Sequence, residues 1–208
     1  MGTLRISIDD SVRVTADSAR LHVRVKGTSA VFGNAATKQA REVRDLVEAL
    51  AGTGLSEDAI EVTGVSLTSR SGALGKNQSA EYLLAITTAP EQLGSVIGVL
   101  ADRPSLVLSE LEWVYSSFEA SIPATSQAMA KARRKADAVA AAAGLRVIGI
   151  AAISDSWNLP SPRFSFEAAD GMMMSARSAK AAPVELGVDF SATQELFVHL
   201  TVDFEIDT

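Results

Sequence analysis

Pro123-Ala-Thr-Ser-Gln-Ala-Met-Ala-Lys-Ala-Arg-Arg-Lys-Ala-Asp-Ala-Val-Ala-Ala-Ala-Ala-Gly144 reads as one long helix built almost entirely from alanine and cations. Ala128, Ala132, Ala136, Val139 and Ala143 recur at four- and three-residue steps and therefore share one face. That face carries almost no bulk, so such a helix can lie very close to a sheet. Gly144 supplies a left-handed stop, Leu145 follows it, and a strand-like run over residues 146–153 begins at once. The pattern specifies architecture, and no other stretch carries a comparable pattern of chemistry.

Strands flank this helix on both sides. The cleanest alternation covers residues 193–206, where Leu196, Val198, Leu200, Val202, Phe204 and Ile206 point one way and Glu195, His199, Thr201, Asp203 and Glu205 the other. Upstream, residues 106–118 read as a long strand with Leu111, Trp113 and Tyr115 on one face and Glu110 and Glu112 on the other. At the start of the chain, Leu4, Ile6 and Ile8 alternate with polar neighbours; after a turn at residues 16–18, so do Leu21, Val23 and Val25. Asn34 offers a cap to a helix whose apolar stripe is Ala36, Ala40, Val43, Val47 and Leu50, ended by Gly52 and Gly54. Residues 60–69 and 80–88 read as two strands joined by a Gly- and Ser-rich turn region, 70–79. Thr88-Ala-Pro-Glu91 fits a capping box before a short helix that buries Leu93, Val96, Ile97 and Leu100.

These elements predict an α+β fold: largely antiparallel strands with three helices, two related strand-helix-strand halves, and a long insertion before the last strand. The halves are suggested by two helices that end alike, one in Gly54-Leu55 and the other in Gly144-Leu145. The insertion, residues 157–192, shows no periodicity and contains Phe164, Phe166 and the triplet Met172, Met173 and Met174. A connection of that length is uncommon inside a compact domain. Its aromatic and thioether side chains are candidate subunit or partner contacts.

Composition excludes several classes of function. The chain has 208 residues, 47% hydrophobic and 21% charged, with a net charge of -6 and a pI near 5.0. That balance opposes a large electrostatic grip on nucleic acid or anionic lipid. Cysteine is absent, which removes disulfides, thiolate nucleophiles and Cys-ligated zinc. No run is apolar enough for a membrane-spanning helix. The first ten residues lack the pattern of a leader peptide, so the cytoplasm is the expected location; the periplasm or cell envelope is the alternative if a leader has been removed.

The search for chemistry assigns no catalytic, cofactor-binding or metal-ligating residue. His22 and His199 lie on polar strand faces and read as surface histidines that would meet only if the first and last strands pair. Gly72-Ala-Leu-Gly75-Lys76 resembles a phosphate loop, but Arg70 and Asn77 stand where glycine and a hydroxyl are needed, and it reads as a hairpin loop. Glu110 with Glu112, and Asp203 with Glu205, are carboxylate pairs of a kind that solvent faces carry anyway. Lys131, Arg133, Arg134 and Lys135 form the one local basic cluster, a candidate anion contact whose first role is to solvate an alanine-rich helix.

Taken together, the chain resembles the SIMPL-domain family, which includes bacterial periplasmic immunogenic proteins and a mammalian partner of a pelle-like kinase. The matching features are Val14-Thr-Ala-Asp17 before an alternating strand, the helix reaching Gly54-Leu55 with Glu57-Asp58 after it, and Phe118 before the alanine-rich stretch that closes on Gly144-Leu145. Ala182-Pro-Val-Glu-Leu-Gly187 leading into Val198-His-Leu-Thr-Val-Asp-Phe-Glu-Ile206 completes the match. The resemblance implies a single domain over residues 1–208, with 157–192 as a loop or arm. It further implies a bacterial protein without established enzymatic activity or cofactor, commonly exported, prone to homo-oligomerise and loosely associated with stress tolerance. The expected function is that of a non-enzymatic, self-associating scaffold or interaction protein with an unidentified protein partner. The alternative is a small-ligand binding domain with a pocket under residues 157–192.

Overall fold

A computed structural model of the chain describes residues 2–29, 35–72, 75–160, 163–165 and 192–207. In chain order the described elements are β1 (Gly2–Thr15), β2 (Ser18–Ser29), α1 (Ala35–Ala51), β3 (Ile60–Gly72), β4 (Gly75–Thr88), α2 (Leu93–Ala101), β5 (Leu106–Val114), α3 (Ser117–Ala142), β6 (Arg146–Asn158), β7 (Arg163–Ser165) and β8 (Thr193–Asp207). Among the described residues every strand pairing is antiparallel, which with three helices there gives the α+β class expected from the pattern. The chain divides into two compact units: one of Met1–Ala16, Tyr115–Ser161 and Ser191–Thr208, the other of Asp17–Val114 and Pro162–Phe190.

The first unit is a three-stranded sheet, β1-β8-β6, covered on one face by α3. Leu196, Val198, Leu200, Val202 and Phe204 of β8 turn their apolar face to the helix and are fully buried there. The helix answers with Ala124, Ala128, Ala132 and Ala136 in the same core, joined by Ile6 of β1. Ala140 is buried too, whereas Val139 and Ala143, expected on this face, are exposed. The buried row is thus a strict four-residue repeat that rotates by about 40° per step. It winds around the helix and follows the twist of the strands beneath. The helix also starts at Ser117, earlier than expected, so Phe118 belongs to it and not to β5. Pro123 lies inside it and denies the Glu119 carbonyl its helical donor, while Ser121 and Ser126 return hydroxyl bonds to Phe118 (2.6 Å) and Ile122 (2.9 Å).

The second unit is a five-stranded sheet, β3-β4-β2-β5-β7, on which α1 packs against β2 and β4 and α2 against β5. Leu21, Val23 and Val25 of β2 and Leu84 and Ile86 of β4 are buried with Leu46 and Leu50 of α1. The stripe of α1 is rotated from the one expected: Ala40 is exposed and Gln39 is buried, with Val43 and Val47 half-buried. Gly27 of β2 explains the turn, because a Cβ there would overlap the Gln39 amide that lies against it. Asn34 and the side chain of Ala36 fall outside the described residues.

Two further expectations change. The ladder between β3 and β4 runs to Gly72 opposite Gly75, so most of the expected turn region 70–79 is strand, and Ala73 and Leu74 lie outside the described residues. No capping box forms: Thr88 ends β4 with its hydroxyl on the Ala89 carbonyl (3.4 Å), and a 3-10 turn, Pro90–Gln92, leads into α2.

The relation between the halves is closer than the sequence suggested. In β2-α1-β3-β4 the last strand lies between the other two; in β1-α3-β6-β8 the last strand again lies between the other two. The strand that leads the second half is therefore β1, from the far end of the chain, and not β5, which immediately precedes α3. Both helices stop in the same motif. Gly54 (φ 89°) and Leu55 donate to Ala51 (3.0 Å) and Leu50 (3.4 Å); Gly144 (φ 76°) and Leu145 donate to Ala141 (3.0 Å) and Ala140 (2.9 Å). Each following strand then bulges at a Val-x-Gly, Val62-Thr-Gly64 in β3 and Val147-Ile-Gly149 in β6.

Two substitutions test this packing. Ala132→Leu adds bulk where the helix meets β8 and should cost about 1–3 kcal/mol by urea unfolding, whereas Ala138→Leu on the exposed side should be near neutral. Gln39 is 1% exposed, and neither end of its amide has a hydrogen-bond partner. Gln39→Met should therefore raise the unfolding free energy, by about 1–2 kcal/mol.

Candidate functional site

Because the apolar side of β8 is committed to α3, its other side chains define the opposite face of the sheet. Glu195, Phe197, His199, Thr201, Asp203 and Glu205 stand there, flanked by Arg5, Ser7, Asp9, Ser11 and Arg13 of β1 and by Ser154, Ser156 and Asn158 of β6. Arg5 grips Asp203 with two hydrogen bonds, Nε to Oδ1 at 2.7 Å and Nη2 to Oδ2 at 2.8 Å. One row along, Ser7 Oγ lies 3.0 Å from Thr201 Oγ1. Asp9 Oδ1 lies 2.7 Å from His199 Nδ1, and His199 Nε2 is 3.3 Å from the same Thr201 hydroxyl.

Carboxylate, imidazole and hydroxyl thus follow in the order of a general-base relay. The setting differs from that of a hydrolytic site. His199 and Asp9 are both exposed on a flat sheet, and the backbone donors of β8 serve β1 and β6 in the ladders on either side of it. The relay is accordingly a polar cross-strand ladder open to water. The first and last strands do pair, but what they bring together is His199 and Asp9; His22 sits on β2 opposite Ala85 and Glu110.

At the end of this face, Arg13, Pro160, Thr193, Gln194, Glu195 and Phe197 line an open cavity of about 540 Å³. Among the described residues no group of three or more His, Cys, Asp or Glu side chains could hold a metal ion. No described helix is long and apolar enough to cross a membrane.

The basic cluster on α3 is dispersed by its own partners. Lys131 reaches across to Asp10 of β1, which stands opposite Val198 on the helix-facing side, at 2.6 Å. Arg133 pairs with Asp137 one turn on, at 3.1 Å, and its guanidinium lies 6.0 Å from the centre of the Phe204 ring. Arg134 and Lys135 are exposed. Phe164 lies in β7 opposite Leu111 and is exposed, while Arg163 beside it faces Glu110 (3.8 Å) and Glu112 (3.4 Å). Phe166, Met172, Met173 and Met174 fall outside the described residues.

The strand expected over residues 146–153 is present as β6, but its full length and its exposed apolar side chains were not foreseen. It runs to Asn158 and so takes in Trp157, and from Ala151 to Asn158 every side chain is exposed. Ile148, Ile150, Ile153 and Trp157 are 49%, 41%, 56% and 39% exposed. The signal lay in a run of apolar residues longer than one covering helix can bury.

Residues 4–204 match the SIMPL family, described as a protein of unknown function (DUF541). No curated protein matches the chain.

Two carboxylates give the first unit a pH dependence. The hydrogen bond from Lys131 holds Asp10 below the ordinary carboxylate value of 3.8, and the hydrogen bond from Arg5 does the same for Asp203. Groups depressed on folding contribute stability that is complete above their unfolded value and disappears as pH falls through the folded one. The melting temperature should therefore fall as pH drops below 3.8. Asp10→Asn should melt lower than the parent at neutral pH, and the two should converge in acid.

Proposed function

The chain belongs to the SIMPL family, whose function is unknown, and from that premise we propose that it is a non-enzymatic, self-associating scaffold or interaction protein. The observation that carries this reading is β6. Among the described residues it pairs on one side only, with β8, along a strand of 13 residues whose other N–H and C=O groups face outward from that sheet. Arg146 and Asp155 are its only charges, and it contains neither lysine nor proline, the devices that usually block edge pairing. Large apolar side chains stand exposed along it.

The internal duplication strengthens the case. The strand equivalent to β6 in the second unit is β3, again an edge among the described residues, with Val62, Val65 and Leu67 exposed. One chain thus carries two equivalent edges suited to strand addition. A link with stress tolerance forms part of the proposal and rests on the family resemblance alone. Assembly of like copies would proceed equally in the cytoplasm or in the envelope.

A second reading, small-ligand binding, is favoured by the cavity bounded by Pro160 and Thr193, the two ends of the long segment before β8.

Light scattering on a size-exclusion column tests the first reading. The parent chain should elute as an oligomer at micromolar concentration, and Ile153→Lys, a change at an exposed position, should shift it to a folded monomer with unchanged circular dichroism. A parent that is strictly monomeric would remove the reading. For the second, a thermal-shift screen should find at least one stabilising metabolite.

A further inference from the structure

Four acid–base rows on the exposed face of the β1-β8-β6 sheet bring oppositely charged side chains directly opposite one another: Arg5 with Asp203, Asp9 with His199, Arg146 with Asp207, and Arg13 with Glu195. Three of them close, at 2.7, 2.7 and 3.2 Å. No ion pair closes between Arg13 and Glu195, although their backbones face each other in register. The open row is also the one that lines the cavity, together with Phe197 and Pro160.

We propose that this cavity is a binding site for a free α-amino acid with an aromatic or large apolar side chain, an assignment that rests on the small-ligand reading above. The Arg13 guanidinium would take the α-carboxylate in the forked geometry that arginine favours. Glu195, an acceptor only when ionised, would take the α-ammonium. The Phe197 ring, 47% exposed, and the Pro160 ring supply an apolar wall for the side chain. The volume of about 540 Å³ falls inside the range of roughly 300–1,000 Å³ common for small-molecule sites. A ligand bearing both charges completes a row that the protein leaves open, which a ligand with only one charge cannot do.

Amide NMR titration of the full chain with L-phenylalanine, phenylacetate and phenethylamine tests the assignment. L-phenylalanine should shift the amides of Arg13, Gln194, Glu195 and Phe197 saturably in the millimolar range or below. Each singly charged analogue should bind at least about tenfold more weakly. Arg13→Gln and Glu195→Gln, both exposed changes, should each cost at least about tenfold in affinity with unchanged melting temperature. Equal binding of phenylacetate and L-phenylalanine, or affinity untouched by either variant, would overturn the proposal, as would the absence of any shift with L-phenylalanine. If a different metabolite shifts these amides, the small-ligand reading survives and the amino-acid assignment falls; if none does, both fall.

Discussion

The close seating of α3 on β8 is the contact on which the first unit depends. A helix can approach a sheet only as near as its inward side chains allow, and a row of alanines reduces that limit to a methyl group. The space so created is taken by the large residues of β8, above all Phe204, which is completely buried. Bulk on the strand and smallness on the helix are complementary. The polar supports follow from the same geometry: Arg133 can lie over the Phe204 ring, and Lys131 can reach Asp10, because the helix lies low enough for its flanking cations to meet the sheet.

The same economy governs the second unit in a different form. There the close approach is made by removing a side chain from the strand, Gly27, instead of from the helix, and Gln39 fills the gap. Both halves nevertheless share their helix stops, their bulged Val-x-Gly strands and their strand order. The bulge adds twist where the strand leaves the helix, and glycine after it keeps a side chain away from Leu83 in one half and from Glu205 in the other. Repetition of these local devices in two differently packed cores argues that they belong to one ancestral unit and that the packing diverged around them.

The proposed functional surfaces are what the cores leave over. Because α3 leaves most of β6 uncovered, an apolar strand is left at the rim of its sheet; because β8 turns its apolar side inward, a dense polar face is presented outward. The first property is the basis of the proposed association between chains, the second of the proposed recognition of small polar groups. Neither requires a reactive residue, and Asp203, Glu61, Asp10 and Asp137 are each paired with a neighbouring cation.

Alternation in β1, β2 and β8, the alanine ridge of α3 and the two Gly-Leu stops were legible in the residues, since a period of two or of nearly four survives any packing that buries one side. These sufficed for the α+β class and for the inward face of β8. Which residues complete each stripe was not legible: Val139 and Ala143 give way to Ala124 and Ala140, and Ala40 to Gln39, because the winding of a buried row depends on the twist and gaps of the sheet it meets. Nor could the sequence reveal that Lys131 is consumed by Asp10, that His199 has Asp9 beside it, or that Arg13 and Glu195 stand open across from each other. Local pattern fixes which side of a strand or helix is apolar; only long-range pairing, in which the first strand of the chain is laid beside the last, decides which polar groups become neighbours.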